Sequence, residues 1–443
     1  MDHNHRDENT CVLSNLDLFS PAEIQVAISR TYYDELLPYG GIPRNRSPIR
    51  FQQQKAPQLI DLQNSYFVMD VSIQNADGSN MPATGAVECG LINYPAYSLI
   101  KKMELQLNGT EVTHSTGNDN YEVMMQNIVS FDSCTRKTQM TAGLDYPDTA
   151  GHMGQANPAA TTNINQGLTK RAGFTKGSQI TQLMAPLRTS LAGQDRPIIF
   201  NTQLDFSFYF VTDAFGIMSA KDNANFRFVI HDMRLHLRKI ELTSTFYNRM
   251  QHSHQTKAAI YPIVRSAVKT HHLNAGKKVY MLEDAFITNQ VPKRFLLGIV
   301  NGDDYTGSYK GNPFNFRHHN LSSVSMSISG LPTQILKLDF ANASQGVNGY
   351  HTLYQVYGQF GADVGNSIDR EEYRNGNTLL GFDLSPTVRC EGTVEVRRQA
   401  AVALQLEFAD DLTQAITVLI LGEWNNNIEI APKTGAVTTD FTK

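Results

Sequence analysis

FRFVIHDMRLHLRKIEL, residues 226–242, decides how the chain is read. In steps of two, Phe226, Phe228 and Ile230 share one side; Met233, Leu235 and Leu237 take the opposite phase, and Ile240 and Leu242 switch back. Alternation with this period marks a half-buried β-strand, and a change of phase demands a bulge or a passage between sheets. The run at 202–211, TQLDFSFYFV, turns Leu204, Phe206, Phe208 and Phe210 one way and Gln203, Asp205, Ser207 and Tyr209 the other. It is the expected hydrogen-bonding partner of 226–242, across a loop at 215–225. Near the other end, Val402, Leu404, Leu406 and Phe408, followed by Ile416, Val418 and Ile420, repeat the arrangement. Two such closing pairs predict two β-domains in tandem.

Working outward, Ile24, Val26 and Ile28 alternate, as do Phe67, Met69, Val71 and Ile73, the latter ending at Asp77-Gly78. Residues 99–107 read as a strand followed by Asn108-Gly109, which supplies the positive φ angles of a type I′ hairpin turn. Tyr121, Met124, Met125, Ile128 and Val129 sit instead at helical spacing behind the cap candidates Asn118 and Asp119. Residues 143–178 form a long polar loop, a length that is uncommon without a function. Residues 250–258 mark the boundary between halves. In the second half, 279–282, 295–300, 324–328, 336–340 and 379–384 read as strands, with Val394 and Val396 ahead of the last pair. Many short strands separated by turns predict an all-β protein of sandwiches. The domain reading is an arm at 1–15, sandwiches at 16–250 and 251–432, and a tail at 433–443. Each strand buries about four large apolar side chains, worth about 1.5–3 kcal/mol apiece.

The 443 residues are 41% hydrophobic and 18% charged, with a formal net charge of −4. This is a globular composition without the basic excess of a nucleic-acid-coating protein. Arg234, His236, Arg238 and Lys239 form one local basic run, read as a solvated strand face. Cys11, Cys89, Cys134 and Cys390 are scattered and make no disulfide framework. The polar start and the lack of a long apolar run predict synthesis in the cytosol without a membrane span. Asn45, Asn108, Asn320 and Asn342 head glycosylation-like triplets, unused without a signal peptide.

Catalytic signatures are missing: there is no phosphate-binding glycine loop, nucleophile elbow or HExxH. His252/His254, on one strand face, His271/His272 and His318/His319 are the best metal candidates, but none has a Cys or carboxylate at ligand spacing. Asp303/Asp304, Glu371/Glu372 and Asp410/Asp411 read as solvated turns, and Trp424 as core or interface. The expectation is a protein that is not an enzyme and holds no cofactor or metal.

Residues 291–332, VPKRFLLGIVNGDDYTGSYKGNPFNFRHHNLSSVSMSISGLP, carry Pro292, Lys293, Arg294, Gly298, Gly307, Ser308, Tyr309, Asn312, Pro313, Phe314, Asn315 and Phe316 in a recurring order. This segment resembles the second roll of Polinton/Maverick and adintovirus-type major capsid proteins. LDLFS at 16–20, DTAGH at 148–152, KRAGF at 170–174 and REEYRNGNTLLGFDLSP at 370–386 extend the resemblance over nearly the whole chain. It implies a double jelly roll, two eight-stranded antiparallel sandwiches side by side. It also implies a hexon-like homotrimer with six lobes that tiles an icosahedral shell of a double-stranded DNA virus. Implied partners are further copies of itself, a minor penton protein and cement proteins; sequence-specific nucleic-acid binding is not implied. The implied location is the virion, assembled in the host nucleus or cytoplasm. Phe174, Tyr305, Tyr309, Phe314 and Phe316 are the candidate trimer contacts, with packing inside the chain as the alternative. The rival function is a tandem jelly roll that binds a carbohydrate or receptor and forms no shell.

Overall fold

The computed structural model describes residues 24–43, 47–288, 290–342, 345–363, 365–385 and 398–441. The strands of the N-terminal half are β1 (Ile28–Leu36), β2 (Ile49–Gln53), β3 (Leu59–Asn75), β4 (Gly90–Leu91), β5 (Ile100–Leu107), β6 (Thr110–Glu111), β7 (Thr181–Pro186), β8 (Leu204–Phe210), β9 (Ile217–Met218) and β10 (Phe226–Leu242). Those of the C-terminal half are β11 (Ala259–Leu273), β12 (Val279–Leu282), β13 (Arg294–Asn301), β14 (Leu321–Ile328), β15 (Leu331–Lys337), β16 (Leu379–Asp383), β17 (Val402–Phe408), β18 (Ile416–Ile430) and β19 (Val437–Thr439).

The long strand β10 spans the residues that its alternation marks out. It pairs antiparallel with β1 on one side and β3 on the other. Its register against β3 slips between Ile230 and Asp232 and again between His236 and Arg238. At the first, where the apolar phase changes after Ile230, His231 is the extra residue of a bulge in β10; at the second the extra residues, 62–65, belong to β3. The bulges keep Phe226, Phe228, Ile230, Met233, Leu235 and Leu237 in the core, none more than 4% exposed.

One sheet of the N-terminal half runs β1-β10-β3-β7 and the other β2-β8-β5-β6. The C-terminal half has β11-β18-β13-β16, extended by β19 on β18, and β12-β17-β14-β15. Leaving out the small β4–β9 ribbon and the add-on β19, both halves wind alike. Their first and last strands are neighbours in one sheet, and their second and next-to-last strands are neighbours in the other.

This winding corrects the expected pairings. The strand at 202–211 does not bond to β10; β8 bonds to β2 and β5 in the opposite sheet. Likewise β17 bonds to β12 and β14, whereas β18 bonds to β11 and β13. Apart from the β5–β6 and β14–β15 hairpins, consecutive main strands cross from sheet to sheet, and the two sheets face each other through side chains, as Phe208 of β8 meets Phe67 of β3 with ring centroids 5.8 Å apart. Ile24 and Val26 lie ahead of β1 and are 82% and 72% exposed rather than in a strand. The loop at 143–178 contains a helix, Gln166–Phe174. His252 and His254 sit on a helix, Ser244–His254, that joins the halves. Part of the tail at 433–443 folds back as β19. The arm, LDLFS, Asn45, Cys11, Cys390, Val394 and Val396 lie outside the described residues.

Other expectations match. Helix Asp119–Ser130 forms where the spacing places it. Asn108 and Gly109, with φ of 49° and 82°, make the β5–β6 hairpin turn. The Asn108 side chain is committed, accepting from Gln203 N at 3.0 Å and donating to Gly435 O at 2.8 Å. The basic run is paired within its sheet and is not a wholly solvated face: Arg234 pairs with Asp232 at 2.6 Å, Arg238 with Asp61 at 3.2 Å, and Lys239, 7% exposed, with Asp34.

Candidate functional site: the junction between the halves

The motif segments at 148–152, 170–174, 312–316 and 370–386 are far apart in sequence, yet their described residues meet where the two halves join. At the centre is Arg171, on the inward face of helix Gln166–Phe174 and 0% exposed. Its Nε donates to Leu91 O at 2.8 Å, one Nη to Tyr146 O, and the other Nη to Asp148 Oδ1 at 2.6 Å. Asp148 Oδ1 also accepts from Asn165 Nδ2 at 2.8 Å, and Oδ2 from Asn312 Nδ2 at 2.9 Å. Asn165 caps the helix by accepting from Leu168 N. Asn312 reaches over from the C-terminal half and donates to Met153 O as well, at 3.0 Å. A buried ion pair is tolerable only when its remaining polar sites are bonded, and here both Asp148 oxygens are.

Backbone bonds extend the clamp. Gly151 N donates to Asn375 O at 2.8 Å, and Phe316 N to Gly376 O at 2.9 Å. Gly376 has φ +132°, and a Cβ there would overlap the Met153 sulfur, so the turn requires glycine. A second buried pair lies nearby, with Arg136 Nε 3.0 Å from Asp145 Oδ2 and Asn93 Nδ2 donating to Asp145 Oδ1 at 2.7 Å. Tyr94 and the adjoining Leu144 hold left-handed φ of 51° and 56° in this wall. Such strain persists where surrounding contacts fix it. Arg136, Asp145 and Asp148 line a cleft of about 740 Å³ between the halves, with Lys137 and Lys170 on the N-terminal side and Glu371 and Glu372 on the C-terminal side.

Aromatic packing fills the rest of the seam. Tyr121 meets Tyr305, Phe314 and Phe215 at ring-centroid distances of 5.6, 5.4 and 5.9 Å. Tyr305 also donates its hydroxyl to Asn118 Oδ1 at 2.9 Å. Tyr309 donates its hydroxyl to Phe226 O at 2.6 Å, tying the C-terminal half to the start of β10. Gly307, with φ +106°, brings its backbone against that of Phe215, where a Cβ would come within 3.1 Å of Phe215 N. Of the five candidate contacts, Tyr305, Tyr309 and Phe314 thus lie in the seam inside one chain. Phe316, 0% exposed, packs against Gly298 within the C-terminal half. Phe174 is separate and 41% exposed, its ring stacked on Tyr146 at 5.8 Å. The Arg171–Asp148–Asn312 network went unread in the sequence, although each residue lies in a quoted motif.

A half-buried acidic pair completes the junction. Asp119 and Glu122 lie one turn apart on helix Asp119–Ser130; Asp119 accepts from Met103 N of β5 at 2.7 Å, and Glu122 faces β11. Ser266 Oγ donates to Glu122, and Gln126 Nε2 donates to Ser266 Oγ at 3.3 Å. Burial, then the charge of Asp119, pushes the Glu122 carboxyl up from its ordinary 4.5 to about 8, and burial pushes Asp119 up to about 6. Acids raised in the folded state stabilise it in acid and lose that contribution as pH rises. Thermal stability is therefore expected to fall between about pH 4.5 and pH 8 through Glu122, and Glu122→Gln to flatten the decline. Melting curves across that range check this; parallel curves for the two proteins would refute it.

Among the described residues no group of three or more His, Cys, Asp and Glu side chains is placed to hold a metal ion, and no helix is long and apolar enough to cross a membrane.

Comparison with known proteins turns on the winding. The chain superimposes on a chain of the Sputnik virophage with a TM-score of 0.66 at 11% identity, covering 100% of this chain and 96% of that one. For the mavirus major capsid protein the TM-score is 0.55 at 12% identity, covering 99% and 97%. The fold is a double jelly roll. The Faustovirus major capsid protein aligns with this double jelly roll as well, with a TM-score of 0.52 at 9% identity, covering 94% and 92%. In sequence, an uncharacterized protein of Caenorhabditis elegans is 25% identical over 365 residues, covering 79% of this chain and 82% of that protein. No family model matches the chain. In the double jelly roll, the motif junction is where the two rolls are locked together.

Proposed function

We propose that the chain is a major capsid protein, a non-enzymatic building block of an icosahedral double-stranded DNA virus or virus-like element of the Polinton/Maverick and adintovirus kind. The observation that carries this reading is one winding used twice in one chain, with solved viral chains of the same fold matching both rolls end to end. Three such chains arranged head to tail present six nearly equal lobes, which fill a hexagonal lattice position with closed symmetry. The rolls are taken as 16–250 and 251–432, with 1–15 as an arm. Phe174 is offered as a contact between subunits, because its ring is exposed on the β6–β7 connection. A minor penton protein and cement proteins would complete the shell, and the chain would be found in the virion.

Sizing of the purified protein by light scattering tests this. The expected mass is three times 49.4 kDa, with six-lobed particles in electron micrographs. A protein that stays monomeric and binds glycans instead would replace the capsid reading with that of a carbohydrate- or receptor-binding tandem jelly roll.

A further inference from the structure

Arg171 and Arg265 are both buried, at 0% and 1% exposure, and are held in opposite ways. Every side-chain nitrogen of Arg171 donates to an oxygen. None of the three nitrogens of Arg265 meets an acceptor among the described residues. Its guanidinium lies instead over two rings, the central carbon 4.8 Å from the centre of Trp424 and 5.1 Å from that of Phe441. Burial lowers its pKa to about 10, so it is still a cation at neutral pH. A buried charge without hydrogen bonds is costly, and the faces of aromatic rings offset part of that cost.

The two rings differ in how firmly they are anchored. Trp424 belongs to β18, directly opposite Arg265 of β11, and its indole donates to Gln290 O at 2.8 Å. Phe441 comes from the tail, which is held by few bonds. β19 pairs with β18 at three residues, and Asp440 accepts from Asn426 Nδ2 and Asn427 N at 2.9 and 3.0 Å. The tail also touches the N-terminal roll twice. Asn108 Nδ2 donates to Gly435 O at 2.8 Å, and the His114 ring lies edge-on to Phe441 with centroids 6.5 Å apart. None of these tail residues lines the cleft at the motif junction. We infer that residues 431–441 are a clasp that closes over Arg265 and ties the two rolls together at a second place, apart from the Arg171 network. Closed, the cation rests on Phe441 and Trp424; open, the same guanidinium regains water on the side that Phe441 leaves. Neither state strands a charge, so the clasp opens without either roll unfolding. The inference stands on the fold and does not need the trimer.

Trp424 is the only tryptophan of the chain and is 1% exposed, so its fluorescence reports on the clasp. The test measures acrylamide quenching of that fluorescence in the full chain, with circular dichroism and calorimetry alongside. Phe441→Ala is expected to raise the quenching constant severalfold with the strand signal retained, and to lower and broaden the calorimetric transition. Asp440→Ala, which cuts the bonds to Asn426 and Asn427, is expected to do the same. Thr438→Ala, exposed on β19, is expected to leave both readings at wild type. Arg265→Lys keeps the cation and should keep Trp424 shielded, whereas Arg265→Met should open the clasp. Folded Phe441→Ala and Asp440→Ala proteins with Trp424 still shielded would overturn the closure. Raised quenching with an unchanged calorimetric transition would overturn the tie between rolls. Equal shielding in Arg265→Met and wild type would overturn the part given to the cation.

Discussion

Arg171→Ala is expected to destabilise the fold by about 3–5 kcal/mol, the range for removing one partner of a buried ion pair. The substitution leaves Asp148 charged and buried with only its two asparagine donors, and frees the carbonyls of Leu91 and Tyr146. Because Asn312 enters the same network from the C-terminal roll, the loss falls on the junction as well as on the loop. Urea unfolding followed by circular dichroism measures it. The physical claim has a second arm: the pair Arg171→Met with Asp148→Leu should recover part of the loss, because it removes both charges together. An unchanged midpoint for Arg171→Ala would show that water, and not Arg171, satisfies Asp148.

Phe314→Ala is the other large effect, about 3–5 kcal/mol for deleting a buried phenylalanine. Its ring is 4% exposed and meets Tyr121 and Phe215 of the N-terminal roll, at 5.4 and 6.0 Å between centroids. Removing it hollows the aromatic seam while leaving both jelly-roll cores intact. Calorimetry should then show the rolls melting in two steps. A single, unshifted transition would mean that the rolls are coupled elsewhere.

Strands were legible in the sequence; their neighbours were not. The first phase change in 226–242 located the bulge of β10 at His231, because a bulge is what returns the next apolar side chain to the core. Alternation reports which face a residue takes and says nothing of which strand lies alongside. Sequence order alone therefore pairs the runs at 202–211 and 402–408 with the strands that follow them, which lie in the opposing sheet. Helix Gln166–Phe174 was hidden because its buried face is Gly167, Leu168, Arg171 and Ala172, where an inward arginine reads as a surface residue. Helix Ser244–His254 buries no residue fully, only Tyr247 and Met250 in part, and leaves no long apolar stripe to detect. Of the candidate site, the motif segments are visible as strings, and the aromatic residues in them stand out as apolar side chains in loops. The polar side chains that hold those strings together, Asp148, Arg171 and Asn312, become significant only when the fold brings them within bonding distance.

The helix Ser244–His254 has a consequence beyond joining two rolls. A covalent tether holds its ends at an effective concentration in the millimolar range when short and flexible, so the rolls meet without the entropic loss of a bimolecular encounter. An interface between separate molecules must overcome that loss through apolar burial. Relieved of it, the seam has room for two ion pairs and a protonatable acid that a freely dissociating interface of the same extent would hold far less readily.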